Sequence, residues 1–430
     1  MQNKDFTLTD KIILFALTAH VFVGRYFFPS DYQIWMAALI AVFLFICYQR
    51  FFDVNDFLHK KKMPMLTILY LASIFFLIAN IIGNLLSLGV GLLAVNNLLM
   101  VFSPILLLVF FCYLFDKYDS KLLWKFFNWV LTFSNIYFWL NVPIIILEKM
   151  TSSFMIAKFI SWNPYIPDSI TGLIGYSGTN IINLFWVSLL VSNVIYFYFN
   201  RKRLLIWLTL AEGLFMLYFS IFYNENKSFI PTAVVFGLVL ALALLDDQNL
   251  LTFLIRFFGG IIILIVSGAA IYFIFPDFRP YINQLLGLGS QLIEHNGQDT
   301  TNERAYLIQM AFQKYQAARY GVGLNVLDLN TQNIHIHLAI NSLSLLLYMG
   351  GIRFYVVALA FYGLYLKNFL SFAERPAYKL ITWVGLLAAL FLVTVISQPF
   401  RDYYILYFFS WFVFSVALTV RLKEEAIKVA

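Results

Sequence analysis

The sequence predicts an all-α protein, a polytopic membrane bundle of about twelve transmembrane helices. Three observations carry that prediction. Of 430 residues, 62% are hydrophobic and only 12% charged, and the mean hydropathy is +0.81; a soluble domain holds about twice that share of charge. Apolar runs long enough to cross a bilayer recur along most of the chain. The basic residues fall between those runs, which is how a multi-pass protein sets its orientation. The net charge of +7 is therefore spread over loops and does not form a face for nucleic acid.

In chain order the candidate spans are 11–28, 32–50, 64–83, 97–115, 126–147, 176–199, 204–223, 229–245 and 250–275, then 352–371, 379–398 and 403–421. The first follows Lys11 with no small-residue cleavage site, so it reads as a signal anchor. Arg50 with His59 and Lys60–Lys62, the Lys117/Lys121/Lys125 group, and Arg201–Arg203 fall on one side of this scheme, which makes that side the cytoplasm. The loops 148–175 and 276–335 fall on the other. Residues 336–350 are apolar but short, and as a full crossing they would put Lys367, Arg375, Lys379, Arg421 and Lys423 outside. An interfacial or half-spanning helix returns all five to the cytoplasm. Cys47 and Cys112 lie inside hydrophobic runs, which argues against a structural disulfide.

The chain reads as a single polytopic domain, 1–430, whose one large polar feature is the outer loop 276–335. Tyr281, Leu285, Leu288 and Leu292 recur at helical spacing, giving a surface helix over 281–293. Thr300 to Glu303 form a capping box for a second helix over 301–319, ended by Gly321 and Gly323.

Chemistry belongs where charge can meet water. Across the sequence there is no Cys-x-x-Cys, no His-Glu-x-x-His, no phosphate-binding Gly-Lys-Ser loop and no Gly-x-Gly-x-x-Gly after a strand. The expectation is therefore no metal, no nucleotide and no other cofactor. His335 and His337, two apart, face opposite ways on a helix and suit a metal only on a strand or loop. Arg304, in the first turn of its helix, opposes the helix dipole; a phosphate ligand accounts for it, and so does pairing with Glu303, Asp299 or lipid headgroups. Arg319 lies on the same stripe about 22 Å farther along, too far to share one pyrophosphate, and a helix-capping role suits it as well as a substrate contact.

Lys227, Arg25, Arg279 and Arg401 are cations on the translocated side, against the orientation rule. Convergence on an anionic lipid-linked substrate would explain them, and so would snorkelling to headgroups. The loop holds Asp277, Glu294, Asp299, Glu303 and Asp328 against Arg279, Arg304, Lys314 and Arg319, so any anion site must be local. His337 is the candidate base, with Asn341 four residues on and on the same face; the plainer alternative is a histidine bonded to a neighbouring loop. His20 reads as a bundle histidine, and Asp168 and Glu148 as ordinary loop acids.

Four stretches resemble bacterial O-antigen polymerases and the related O-antigen ligases. They are Ser169–Gly175 followed by Asn180; Asn226-Lys227-Ser228; Asn302-Glu303-Arg304 leading to Gly321-Val322-Gly323; and Asn341-Ser342-Leu343 leading to Gly350-Gly351. The resemblance covers roughly 165–365. The basic residue ahead of the first glycine is missing, where Asp168 and Ser169 stand. The basic turn residue is Lys227 where arginine is common, and Ile340 stands where the family usually has histidine. The resemblance implies a GT-C-like architecture and a metal-independent, inverting glycosyltransferase of the bacterial inner membrane. Its donor would be a glycan on undecaprenyl pyrophosphate, passed at the outer face to the next lipid-linked repeat unit. A chain-length regulator protein is the further partner implied. In that scheme Arg304 and Lys227 hold pyrophosphate with Arg25 or Arg279 as helpers, His337 is the base or an orienting group, and Asn341 positions it or the acceptor. His335 and Arg319 complete the candidate substrate contacts. An O-antigen ligase passing the glycan to lipid A core is the alternative within the family; a flippase for lipid-linked oligosaccharide and a membrane O-acyltransferase are the rival expectations from other classes.

Overall fold

The computed structural model describes residues 5–19, 21–22, 107, 110–151, 170–175, 178–200, 203–222, 228–244, 342–370, 376–397 and 403–429. Among them the chain is helical, with no strand beyond an isolated bridge at Tyr118. The helices are α1 (Leu8–Ala19), α2 (Ser120–Thr151), α3 (Thr179–Asn200), α4 (Arg203–Phe222), α5 (Phe229–Leu244), α6 (Ser342–Phe369), α7 (Pro376–Ile396) and α8 (Tyr403–Val429). A helical stretch at 110–117 precedes α2, and a 3-10 turn at Gly172–Ile174 precedes α3. Among the described residues four helices are long and apolar enough to cross a membrane: Ser120–Thr151, Thr179–Asn200, Lys379–Ile396 and Tyr404–Ala426. That fits an α-helical membrane protein. Ile206–Ser220 and Phe229–Leu244 are shorter apolar helices.

The helix starts follow local chemistry. Thr7 caps α1: its Oγ1 accepts from the Asp10 backbone N–H at 3.3 Å while its carbonyl takes the Lys11 N–H. Asp119 does the same for α2, its Oδ1 accepting from Leu122 N at 2.8 Å. The helix therefore begins at Ser120, well before the predicted span at 126, and Lys121 and Lys125 lie in its first two turns. Pro143 sits inside α2, where it removes one backbone hydrogen bond. In α6 the backbone leaves helical geometry at Gly351, with φ 70° and ψ −172°. Residues 342–350 and 352–369 are thus two helical pieces meeting at a glycine that tolerates the left-handed region.

The order of contacts fixes an alternating bundle. α8 is its axis, with 94% of its apolar window buried. Phe236 of α5 stacks on Phe412 at 3.8 Å, and Phe127 of α2 stacks on Trp411 at 5.5 Å and 11°. On α3, Ser188 Oγ donates to the Phe408 carbonyl at 3.1 Å. Lipid tails are as apolar as leucine, so burial from water does not drive such helices together. Aromatic pairs contribute about 0.5–1.5 kcal/mol each and small hydroxyls stitch between them. α5 and α7 pack closely at Gly385, where a Cβ would lie 3.2 Å from Val239 Cγ2.

One end of the bundle is basic. Lys117 Nζ reaches Asp10 Oδ2 at 3.3 Å, Arg421 Nη1 donates to the Phe115 carbonyl at 2.8 Å, and Lys423 Nζ donates to the Leu244 carbonyl at 2.7 Å. Lys11, Lys121, Lys125, Lys367 and Lys379 belong to helix turns at this same end, since Phe115 packs on Phe369 and Trp383 Nε1 donates to the Gly363 carbonyl. The sequence leaves α8 at 421; the helix instead continues to Val429, because Arg421 and Glu425 pair at i,i+4 and Glu425 accepts from Ser120 Oγ. At the opposite end Lys149 and Arg353 are the cations among the described residues.

Candidate functional site

The described structure builds its polar architecture in three places. The first is at the end away from the basic cluster, where α2 finishes and α3 and α5 begin. Asn141 brackets the 3-10 turn: its Nδ2 donates to the Thr171 carbonyl at 3.2 Å and its Oδ1 accepts from Leu173 N at 2.6 Å. About two turns on, Glu148 Oε2 accepts from Gly172 N at 3.0 Å. Glu148 is 1% exposed. It is therefore not the loop acid the sequence suggested but part of a long helix, turned inward to hold a backbone that cannot satisfy itself. Gly172 has φ 59°, and a Cβ there would run into the Asn141 side chain. Gly175, at φ 84°, closes the turn through its N–H to the Gly172 carbonyl. Glycine is required at 172 on both counts.

The turn leads into α3, and α3 reaches α5. Asn183 Nδ2 donates to Ser228 Oγ at 2.9 Å. Ser228 starts α5, its carbonyl accepting from Thr232 N at 3.2 Å and from Thr232 Oγ1 at 2.7 Å. Two of the four stretches that carry the family resemblance, Ser169–Gly175 and Asn226–Ser228, are therefore represented at one end of the bundle by the described residues Ile170–Gly175 and Ser228.

The second place lies in the middle of the helices. Glu212, fully buried on α4, accepts from Trp139 Nε1 at 3.0 Å and from Asn193 Nδ2 at 2.7 Å. Asn193 and Asn135 exchange amide hydrogen bonds at 3.0 and 3.1 Å. One carboxyl and two carboxamides thus tie α2, α3 and α4 together where the surroundings are apolar. The sequence reading missed this cluster. An acidic residue inside a predicted span was the available signal, since such residues are costly in lipid and seldom incidental.

The third is the basic end. Asp10 is fully buried and accepts from Thr7 Oγ1 at 2.6 Å, from Lys117 Nζ and from the Tyr118 hydroxyl. Burial first, and then the bond to Asp10, pushes the Tyr118 hydroxyl up to about 12. Lys117 also donates to Tyr113 Oη at 2.6 Å. This is a latch joining the first helix to the end of the helical stretch 110–117 and Tyr118 just after it.

The residues singled out by the sequence, Arg304, His337, Lys227, Arg25, Arg279, Arg319, Asn341 and His335, lie outside the described residues, as do His20, Asp168 and Cys47. So do the loop 276–335, its helices 281–293 and 301–319, and residues 336–341. Cys112 is buried and reduced, its thiol donating to the Tyr365 carbonyl at 3.6 Å. Among the described residues no three His, Cys, Asp or Glu side chains gather as a metal ion would require. Compared with known proteins, the chain matches no protein-family model and no curated protein.

Proposed function

We propose that this protein is a polysaccharide polymerase, a twelve-span glycosyltransferase with GT-C-like architecture in the bacterial inner membrane. It would transfer a glycan from undecaprenyl pyrophosphate to the next lipid-linked repeat unit at the outer face, with no metal or nucleotide. Lipid pyrophosphate is already a good leaving group once cations stabilise its charge. Arg304 and Lys227 would supply those cations, assisted by Arg25 or Arg279. His337 would take the acceptor hydroxyl's proton, with Asn341 orienting it, and His335 and Arg319 would contact other parts of the substrate. A chain-length regulator is the protein partner this activity calls for.

One observation carries the reading beyond the resemblance. Most cations of the described helices collect at one end, which the positive-inside rule assigns to the cytoplasm, with Lys149 and Arg353 at the other. The Gly172 turn, held by Glu148, and Ser228, the residue after Lys227 and bonded to Asn183, both lie at the other. An outer-face site built around Lys227 needs that sorting.

The test is polymer length on gels from a strain deleted for the gene and complemented with wild type, Arg304→Ala or His337→Ala. The expected result is single repeat units in the deletion and in a stably expressed Arg304→Ala protein, and long chains with wild type. Full-length polymer left on the carrier lipid would identify a ligase instead. Long chains with Arg304→Ala would remove the anion site. A lipid-linked oligosaccharide flippase is the second reading, favoured by the buried Glu212–Asn193–Asn135 cluster at membrane depth. In that case deletion leaves unflipped units on the cytoplasmic leaflet, and Glu212→Ala reproduces the defect.

A further inference from the structure

We propose that the bundle holds an internal water-binding site between α2, α3 and α8, independent of the activity above. A cavity there leaves about 10 Å³ open to the centre of a water molecule, with Ser134, Ser188, Tyr407 and Trp411 on its wall among Phe22 and Phe185. A cavity of roughly 10–15 Å³ by that measure holds one water if two to four polar groups face it. The volume is right for one water and too small for anything larger.

The hydrogen-bond inventory specifies how the water sits. Trp411 Nε1 is already used, donating to Ser192 Oγ at 3.1 Å. Ser188 Oγ donates to the Phe408 carbonyl and keeps its lone pairs. Thr18 Oγ1 donates to the Leu14 carbonyl at 2.8 Å, so its 3.3 Å contact with Tyr407 has the tyrosine as donor. Tyr407 Oη therefore also keeps its lone pairs. Ser134 is 5% exposed, and no hydrogen bond of its hydroxyl is found among the described residues. The wall thus offers one hydroxyl donor and three oxygens able to accept. A water that accepts from Ser134 and donates to Ser188 and Tyr407 uses every one of these positions sensibly. A cation is disfavoured because no charged side chain lines the cavity among the described residues. A dry cavity is disfavoured because a buried hydroxyl without a partner is destabilising.

Two measurements on the full-length, detergent-purified chain test this. X-ray radiolytic labelling in ¹⁸O water should mark Tyr407 several-fold above Phe414, which is equally buried and off the cavity wall, because a bound water generates hydroxyl radical beside it. Labelling of Tyr407 no greater than that of Phe414 overturns the site. Ser134→Ala should lower the melting temperature by about 1–3 °C if the hydroxyl bonds a water, since losing one hydrogen bond is a small term in a chain this long. If the cavity is dry, the same change removes an unpaired hydroxyl, and a rise in melting temperature overturns the proposal.

Discussion

The two ends of the bundle solve the same problem by opposite means. Helices that stop leave carbonyls and N–H groups without partners. At the basic end long cationic side chains close them: Arg421 onto Phe115, Lys423 onto Leu244, with Lys117 held on Asp10. At the opposite end short neutral or acidic side chains do it: Asn141 and Glu148 onto the backbone of the Gly172 turn, with Asn183 bonded to the Ser228 hydroxyl beside them. At the basic end Arg421, Lys423 and Lys117 are tied up in structure, while Lys11, Lys121, Lys125 and Lys367 lie exposed. The contrast teaches that a charge tally by side does not measure readiness to bind; it matters which charges the fold already uses.

Substitutions can break that contrast or sharpen it. The largest effect should come from Gly172→Val, which combines left-handed backbone strain with a collision against Asn141. We expect a loss of about 2–4 kcal/mol, read as thermal unfolding in detergent; an unchanged transition would mean the turn is not packed on α2 as described. Asp10→Ala strands Lys117 and Tyr118 and should cost about 1–3 kcal/mol, with Asp10→Asn recovering part of it. Arg421→Met should cost about 1–2 kcal/mol, because the Phe115 carbonyl loses a charged donor. Protease nicking near the 110–120 segment, faster than in wild type, would report the same loosening. Glu148→Gln keeps an oxygen for Gly172 N and should stay within about 1 kcal/mol of wild type, whereas Glu148→Ala should exceed it. A Glu148→Gln protein as weak as Glu148→Ala would show that the charge, not the acceptor, is required.

The smallest effect at neutral pH, and the most diagnostic, is at Tyr118. Its folded value is raised from 10.0 to about 12, so the folded chain holds the phenol proton more tightly than the unfolded one. The stability this brings is present below pH 10 and is lost as pH rises from 10 towards 12. Tyr118→Phe should flatten the stability profile over that interval. A profile unchanged by the substitution would mean the loss belongs to other groups.

Much of the scaffold was legible in the sequence. The spans predicted at 176–199, 204–223 and 229–245 correspond closely to α3, α4 and α5, because long apolar runs interrupted by polar turns leave little choice inside a bilayer. The glycine stretch before α3 stood out in the sequence only through the family resemblance, and its turn geometry came with the structure. Its anchor was not: Glu148 sits at the polar end of an apolar run, where loop and helix end look alike in one dimension. Glu212 was visible as an acid inside a span, but its partners Asn135, Trp139 and Asn193 come from two other helices, and no spacing along the chain announces them. The candidate anion-site residues rest on the sequence, and the described structure bears on them only through Ser228 beside Lys227.

The sequence by itself determined that this chain is helical and apolar enough to enter a membrane, and where its basic clusters interrupt the hydrophobic runs. Composition and run length suffice for that, since the bilayer imposes helix on any backbone that crosses it. Which helix forms the axis was decided only by tertiary structure. α7 is the more apolar, at hydropathy 2.2 with 33% of its window buried; α8, at 1.8, has 94% buried. In lipid the outside of a bundle is as oily as its inside, so hydropathy carries no signal for burial. Aromatic stacking, small hydroxyls and the reach of Arg421 and Lys423 place α8 at the centre.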